Sequence, residues 1–478
     1  MGRREQAAEE KALQQLLTQY EASKSEGRSI YLDGDQLADI AGRYTTEQRY
    51  QEAQEVIDYG LRLHPEHPYL LLEQAYLFLD LRCPHDAEAI VNRLYEQQLP
   101  EVILLKAELQ LTKGAIDEAE TLLEGLDGKE LDNIIDATYL YVEMGYPEQA
   151  KQWLDKGVGR YDDHEAYLAL CADYRLATGD SVAAVDAFEK LIDLDPYNDS
   201  YWLGRARALY LQQNFEEAIV ACDFALTINE HNGEAYTYLG HSFLQLENVE
   251  AALKNFKLAL QHRALSPEMG QLFIGTALLT GGRWQEAYDT FDQAIALYEQ
   301  TPNKAPFYLT DLYIQQAMAC VYLERFDEAH DCCEKALAVN SDDINAYVTE
   351  GMVYLNEGKA SEALITFQIA LKIDRSIETL YAIASYLFDF GLLKEADQLF
   401  REVFEKDRHY KDTAEKLATI SLLQGESDSF IHYNHFASHP IDRETVLDLM
   451  KHPHYDATEN RDALLKALTY LDSYYRNH

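Results

Sequence analysis

Three histidines near the C-terminal end of the sequence have a spacing suited to metal binding. His432, His435 and His439 follow one another at intervals of three and four residues, which favours one face of a helix. Imidazole nitrogens bind transition metals, so these residues are weak candidate ligands. No cysteine joins them, and Pro440 and Pro453 interrupt the segment, so exposed or capping histidines are the favoured interpretation. We therefore predict neither a metal nor a cofactor.

The sequence lacks the signatures of catalysis. The stretch from Gly125 to Lys129 is too short for a phosphate-binding loop, and neither the HExxH nor the GxSxG motif occurs. Carboxylates occur throughout the chain, so a pair at any chosen spacing carries no information. We predict that the protein is not an enzyme, and a metal-binding or enzymatic role of the histidine-rich C-terminal region is a remote alternative.

The six cysteines form neither a CxxC pair nor a disulfide-framework spacing, which fits a reducing compartment. Cys332 and Cys333 are adjacent, so one of the two should face away from a helical core. No apolar stretch follows the N-terminus and no run of 18 apolar residues occurs. We expect a cytoplasmic protein with no contact to membranes.

The composition is strongly acidic, with a formal net charge of -42 at pH 7. Such a charge repels nucleic acid and attracts basic partners, although it also simply keeps a protein dispersed. The 478 residues exceed the size of one globular core, and linkers rich in Gly, Pro or Ser are missing. A repeat array is therefore favoured over several globular domains.

A pattern of small residues repeats along most of the chain. The segments from Gly240 to Ala259 and from Gly351 to Ala370 share a template in which an alanine follows a small residue by twelve positions. The small residues are Ala41, Ala75, Ala107, Thr138, Ala172, Ala206, Gly240, Gly275, Ala317, Gly351 and Ala384. The alanines are Ala53, Ala87, Ala119, Ala150, Ala184, Ala218, Ala252, Ala287, Ala329, Ala363 and Ala396. Small side chains let two antiparallel helices approach closely, which predicts a helix pair in each repeat.

This pattern resembles that of the tetratricopeptide repeat family. The fullest match to the family pattern consists of Tyr236, Leu239, Gly240, Phe243, Ala252, Phe256 and Ala259. The resemblance covers residues 34–409, and we expect a bacterial member of the family. It implies an all-α, right-handed superhelical α-solenoid of antiparallel helix pairs, with about 11–12 repeats and capping helices.

The same pattern divides the chain into three parts. We predict an N-terminal capping helix within residues 1–33, a repeat array over 34–437 with an insertion near 300–308, and C-terminal capping helices within 438–478. The array includes a twelfth repeat, in which Phe430 replaces the alanine. The end helices, with Tyr474 and Tyr475, are apolar enough to allow a homodimer.

In this family the first helices of the pairs line a concave groove. The residues expected there are Tyr69, Glu73, Tyr76, Asp80, Glu108, Asp132, Asp136, Tyr139, Glu143 and Asp173. Tyrosine offers rigid contact area with a polar tip, and carboxylates pair with Arg or Lys. We predict a protein–protein interaction scaffold or adaptor whose groove binds a basic or neutral peptide or domain. A groove without a partner and an assembly or chaperone-like factor that shields a basic client are the alternatives.

Some family members hold the acidic C-terminal peptide of a chaperone in a clamp of Lys, Arg and Asn side chains. Here the corresponding faces carry carboxylates, tyrosines and apolar residues, with Arg207 and His241 as isolated exceptions. We therefore predict that this chain does not bind such acidic tails.

Overall fold

The structure, a computed structural model, describes most of the chain. The described residues are 3–25, 30–47, 49–81, 83–94, 99–299 and 308–449, together with positions 465, 466, 468, 469 and 471. These residues form helices and no strand. They group into two compact units, one ending at Gly281 and the other beginning at Gly282.

Helices follow one another along each unit with short connections. Those of the first unit are α1 (Arg3–Ser25), α2 (Gly34–Thr46), α3 (Tyr50–Leu63), α4 (Pro68–Asp80), α5 (Pro84–Val91), α6 (Pro100–Thr112), α7 (Ile116–Leu123), α8 (Leu131–Glu143), α9 (Pro147–Asp155), α10 (Glu165–Ala177), α11 (Ser181–Leu194), α12 (Asp199–Leu211), α13 (Phe215–Ile228), α14 (Gly233–Gln245), α15 (Val249–Gln261) and α16 (Pro267–Thr280). Those of the second unit are α17 (Trp284–Glu299), α18 (Leu309–Tyr322), α19 (Phe326–Val339), α20 (Ile344–Asn356), α21 (Ala360–Ile373), α22 (Ile377–Asp389), α23 (Leu393–Lys406), α24 (Thr413–Gln424), α25 (Ser427–Phe436) and α26 (Arg443–Leu449).

The predicted all-α array of helix pairs is confirmed. Every small residue of the sequence pattern lies in an even-numbered helix from α2 to α22, and every alanine lies in the odd-numbered helix that follows. All of these residues are buried. For the pairs that lie within one unit, this burial is what a close helix crossing requires. The second helices α5 and α7 have only eight residues each, in the part of the chain where the sequence pattern is most divergent.

In two of the pairs, the helices approach each other closely at a glycine. A Cβ atom on Gly240 would lie 2.5 Å from the ring of Phe256 in the partner helix. A Cβ atom on Gly351 would likewise lie 2.3 Å from the ring of Phe367. Both rings are buried, so each ring occupies the space that a larger residue at the glycine would need.

The turn between the two helices of a pair uses the left-handed backbone region. The residue seven positions after the small residue has a positive φ throughout the turns that the structure describes from α6 onward. These residues are Gly114, Gly145, Gly179, Gln213, Glu247, Gly282, Glu324, Gly358, Gly391 and Gly425. Glycine adopts this conformation without the Cβ clash, whereas the three other residues tolerate it at a small cost in energy. The recurrence of one turn explains why the pairs keep the same twelve-residue spacing.

The ends of the described chain are helical as well. Leu17 and Tyr20 of α1 are buried in the cluster that contains Leu37 of α2. At the other end, Phe430 of α25 and Val446 of α26 share a buried cluster with residues of α22 to α24. Both terminal regions therefore contribute apolar side chains to the cores of their units.

The predicted domain boundaries after residues 33 and 437 remain predictions. Most of the insertion expected near 300–308 lies outside the described residues, and so do Tyr474 and Tyr475 of the expected homodimer contact. None of the described helices combines the length and the apolar character needed to cross a membrane.

Candidate partner-binding face

One column of side chains directly follows the small crossing residues of the first helices. In α4, α6, α8 and α10 this position holds Tyr76, Glu108, Tyr139 and Asp173. A helix turns by about 100° per residue, so these side chains emerge beside the contact between the paired helices. Each of the four residues is accordingly half-buried.

A second set of acidic residues stands two positions before or five positions after the small residue. Asp80, Asp136 and Glu143 of this set are exposed, and Glu73 is half-buried. The Glu73 carboxylate lies over Gly42 of α2, where a Cβ atom would come 3.0 Å from Oε2. We call the two sets together the acidic face, which consists of Glu73, Tyr76, Asp80, Glu108, Asp136, Tyr139, Glu143 and Asp173.

Loss of hydration raises the pKa of the half-buried glutamates of the acidic face. It raises the pKa of Glu73 to about 7, and the negative charges of Asp39 and Asp80 add to the rise. It also raises the pKa of Glu108 to about 7, with Glu143 and Asp80 as the charged neighbours. No lysine or arginine of the described chain contributes to either shift. Both side chains therefore titrate close to neutral pH.

The exposed carboxylates of the face are affected in the same direction. Partial loss of hydration raises the pKa of Asp80, Asp136 and Glu143. Charge repulsion adds to this effect, from Asp80 on Glu143 and from Asp132 on Asp136. Like charges from successive first helices are thus held close together, and a cation placed among them would lower their pKa and gain charge-assisted hydrogen bonds.

The acidic face ends at α10, where its last carboxylate has partners. The Tyr139 hydroxyl donates a hydrogen bond of 2.6 Å to Oδ2 of Asp173. Burial raises the pKa of Asp173, while the hydrogen bond from Tyr139 and the charge of Arg207 oppose that rise. The Arg207 guanidinium also lies 3.9 Å from Glu234. The charge of Asp173 is therefore less available to a partner than that of Glu108.

His241 occupies the equivalent position on α14 and is held neutral. Its ring packs edge-on against Phe256 and Phe273, with centroid distances of 5.0 Å and 4.5 Å. Burial lowers the pKa of His241 to about 4, so this histidine carries no charge at neutral pH. It cannot serve as a cationic residue for an acidic peptide at that pH.

Eight of the ten predicted groove residues belong to the acidic face, and two lie beside it. Asp132 is exposed, one turn before Asp136 on α8. Tyr69 is 41% exposed at the start of α4, where its ring lies 6.3 Å from that of His67. No described contact connects Tyr69 with the carboxylates, because it stands nearly two helical turns before Tyr76.

Two further carboxylates act on the face and were missed by the sequence prediction. Asp39 raises the pKa of Glu73, and Glu101 raises that of Asp136, in both cases through charge repulsion. A signal for Asp39 exists in the sequence, since it stands two positions before the small residue of its repeat, as Glu73 does in the next one. The repeat register would have identified it.

The three C-terminal histidines do not share a helix face. His432 and His435 belong to α25, which ends at Phe436, whereas His439 follows the helix. Both helical rings pack edge-on against Phe436, with centroid distances of 5.4 Å and 5.5 Å, and the backbone N–H of His439 donates to Glu415. In the described part of the chain, no group of three or more His, Cys, Asp or Glu residues could hold a metal ion.

The expectation that Cys332 or Cys333 faces away from the core is wrong, because both are buried. The Cys332 thiol turns toward α18, where it donates to Oε1 of Gln316 at 3.3 Å and forms a hydrogen bond with the Cys320 thiol. The physical reason is that α19 packs against its partner α18 and also against α20 of the next pair. The second helix of a pair, such as α19, thus has two buried sides.

Comparison with known proteins identifies the repeat. A family model described as tetratricopeptide repeat matches residues 171–231 and 238–303, and a second one of the same description matches residues 310–343. The chain is similar to the anaphase-promoting complex subunit cut9 of Schizosaccharomyces pombe, with 24% identity over 217 residues that cover 44% of this chain and 29% of the relative. It is also similar to the TPR repeat-containing protein YpiA of Bacillus subtilis, with 24% identity over 236 residues that cover 49% of this chain and 53% of the relative.

The matched regions thus span about half or less of these two relatives. Among solved structures, a tetratricopeptide repeat protein from Parabacteroides merdae matches with a TM-score of 0.44 and 19% identity, over 54% of this chain and 98% of that one. The relatives include bacterial and yeast proteins, so the expected bacterial source stays a prediction. The family matches show that residues 171–231, 238–303 and 310–343 consist of tetratricopeptide repeats, and the buried small residues of the helix pairs agree with these matches.

Proposed function

We propose that this protein is a non-catalytic interaction scaffold that binds a basic or neutral peptide or domain on its acidic face. One observation supports the proposal: Glu73, Glu108 and Glu143 come from three successive first helices, and loss of hydration together with the negative charge of Asp80 raises the pKa of each of them, with no cation contributing. Arg or Lys side chains of a partner would supply the missing cations, while Tyr76 and Tyr139 offer contact area between the carboxylates.

The relatives support a role in protein assembly. The protein cut9 is named as a subunit of the anaphase-promoting complex, which is a protein assembly. The present chain matches only 29% of cut9, so the support concerns the kind of role and not the partner. Binding of proteins through repeated helix pairs is the function that both the matched tetratricopeptide repeats and the acidic face favour.

The net charge of -42 favours a second candidate, an assembly or chaperone-like factor that shields a basic client. The two candidates differ in how binding is distributed over the surface. A scaffold uses a defined face with aromatic contacts, whereas a shielding factor uses its overall field. Binding by the overall field should weaken steeply with salt, while binding anchored by Tyr76 and Tyr139 should weaken less.

Calorimetry with two synthetic peptides tests the proposal, one helical and rich in Arg and Lys, the other ending in acidic residues. We expect the basic peptide to bind with a Kd on the order of micromolar and the acidic peptide not to bind. The triple variant Glu73→Gln, Glu108→Gln, Glu143→Gln should weaken binding of the basic peptide by about tenfold or more.

The matched control replaces Glu118, Glu148 and Glu216 by glutamine, because these exposed residues of α7, α9 and α13 give the same change in net charge. An equal loss of affinity in both triple variants would exclude a defined acidic face and leave the shielding factor. Binding of the acidic peptide as tightly as the basic one would exclude both candidates.

A further inference from the structure

A cavity of about 270 Å³ lies in the first unit between α10, α11 and the segment that follows α9. Its walls are largely apolar and include Val158, Leu168, Ala187 and the ring of Tyr167. The Tyr167 hydroxyl donates to the backbone carbonyl of Leu154 at 2.7 Å, which fixes the ring at one side of the cavity. No residue of the acidic face lines this cavity.

The cavity has a structural cause in the neighbouring helices. Helix α9 ends at Asp155 after nine residues, whereas α11 continues for 14 residues. The segment that follows the early end of α9 supplies Val158 and Asp162 to the wall of the cavity. In addition, α11 carries Ala187 three positions after its crossing alanine, where α7 has Leu122 and α9 has Trp153. The shorter helix and the smaller side chain leave space that the protein does not fill.

Two cations line this cavity without an acidic partner. Nη1 of Arg175 donates only to the carbonyl of Ala183, at 3.5 Å, although a guanidinium has five N–H groups. Within the described residues, neither Arg175 nor Lys190 forms an ion pair.

The carboxylate of Asp162 also lines the cavity, but it forms a hydrogen bond within its own turn. Oδ1 of Asp162 accepts a hydrogen bond of 2.9 Å from the backbone N–H of Gly159. The lining residues, of which Asp162 and Lys190 are exposed to solvent and Arg175 is half-buried, together carry a net charge of about one positive unit. A monoanion would balance it, whereas a dianion would leave excess negative charge in an already acidic protein.

We propose that this cavity binds a small amphipathic monocarboxylate. Its apolar body would lie against Leu168, Ala187 and Tyr167, and its carboxylate would accept hydrogen bonds from Arg175 and Lys190. A guanidinium suits this role because its parallel N–H groups match the two carboxylate oxygens. The volume is slightly below the range of drug-sized pockets, which limits the ligand to on the order of ten non-hydrogen atoms.

Octanoate and its neutral counterpart octanol are the probes for calorimetric titration of the full chain. We expect octanoate to bind with a Kd on the order of 1 mM and octanol to bind at least about tenfold more weakly. The variants Arg175→Gln and Lys190→Gln should each weaken octanoate binding. Lys254→Gln is the matched control, because Lys254 is an exposed lysine of α15 away from the cavity.

Filling the cavity provides an independent arm of the experiment. Ala187→Leu places in α11 the side chain that α7 has at the same repeat position, and it should abolish octanoate binding with the helical circular dichroism unchanged. Val158→Trp is the second variant, since Val158 is 64% exposed and a larger side chain there would obstruct the opening without entering the core. The proposal is wrong if both folded variants bind octanoate as tightly as the wild type does. It is also wrong if the wild type binds octanoate and octanol with equal affinity, or if it does not bind octanoate at millimolar concentration.

Discussion

At the scale of single residues, the carboxyl groups of Glu73 and Glu108 are in an unfavourable setting. A surface carboxylate is normally fully hydrated or paired with a cation. These two have lost part of their hydration, and their charged neighbours are other carboxylates. Ionising them costs free energy that a bound cation would offset, which is the physical basis of the proposed preference for basic partners.

The same setting predicts how stability changes with pH when Glu108 is replaced by glutamine. The pKa of Glu108 is about 7 in the folded protein against an ordinary 4.5, so the folded state holds more protons between these pH values. Stability therefore falls as pH rises from about 4.5 to 7, and glutamine removes this contribution to the fall. We expect Glu108→Gln to raise the free energy of unfolding by about 1 kcal/mol at pH 8, after allowance for solvent screening, and to change it little at pH 5.

Urea denaturation of the wild type and the variant at both pH values measures this difference. Glu118→Gln serves as the control, since it removes an exposed carboxylate from α7 and should give no pH-dependent gain. A gain of the same size at pH 5 and pH 8 would show that the charge of Glu108 is not the cause.

Single residues are also where the sequence prediction was least complete. The register of the small residues placed the eight residues of the acidic face on the first helices, and their part in partner binding stays a prediction. The sequence prediction placed His439 on the same helix face as His432 and His435. Helix α25 ends at Phe436, and the spacing of the histidines does not reveal this helix end. Cys332 was misjudged because its contact with Gln316 and Cys320 depends on how α18 and α19 pack.

At the scale of helices, the small residue of a first helix is followed sixteen positions later by a buried residue of the second helix. This residue is phenylalanine after Gly240 and Gly351, and also after Ala172 and Ala384. At the two glycines, the rings of Phe256 and Phe367 lie so close that an added Cβ atom would overlap them. The space at these crossings is therefore fully occupied.

The contact between Gly351 and the Phe367 ring predicts a coupled effect of substitutions at these two positions. Gly351→Ala should destabilise the protein by about 1–3 kcal/mol, because the added Cβ would lie 2.3 Å from the Phe367 ring. Phe367→Leu alone should also destabilise, because it leaves a cavity beside the glycine. In the double variant, the leucine provides space for the alanine, so the combined loss should be smaller than the sum.

A double-mutant cycle measured by chemical denaturation gives the coupling energy. We expect a coupling of about 1 kcal/mol in favour of the double variant. Additive losses would mean that the ring moves aside for the alanine and that the two positions do not share one space.

At the scale of the whole molecule, the architecture followed from the sequence and the cavity did not. The twelve-residue spacing predicted the pairs because it is local and repeated many times. The cavity is lined by the segment after α9 and by residues of α10 and α11 in the next pair, so no single repeat contains it. A binding site formed between two neighbouring helix pairs is therefore not visible in the pattern of a single repeat.

The net charge of -42 predicts opposite responses of stability and binding to salt. Self-repulsion opposes the compact state, and salt screens it, so raising NaCl to about 0.5 M should raise the thermal midpoint by roughly 2–4 °C. The triple variant Glu73→Gln, Glu108→Gln, Glu143→Gln should show a smaller rise, since it has already lost three clustered charges. The same salt should weaken binding of the basic peptide, because it screens attraction as well as repulsion. A thermal midpoint that falls with salt would show that ion pairs, and not repulsion among the carboxylates, dominate the electrostatics of the folded chain.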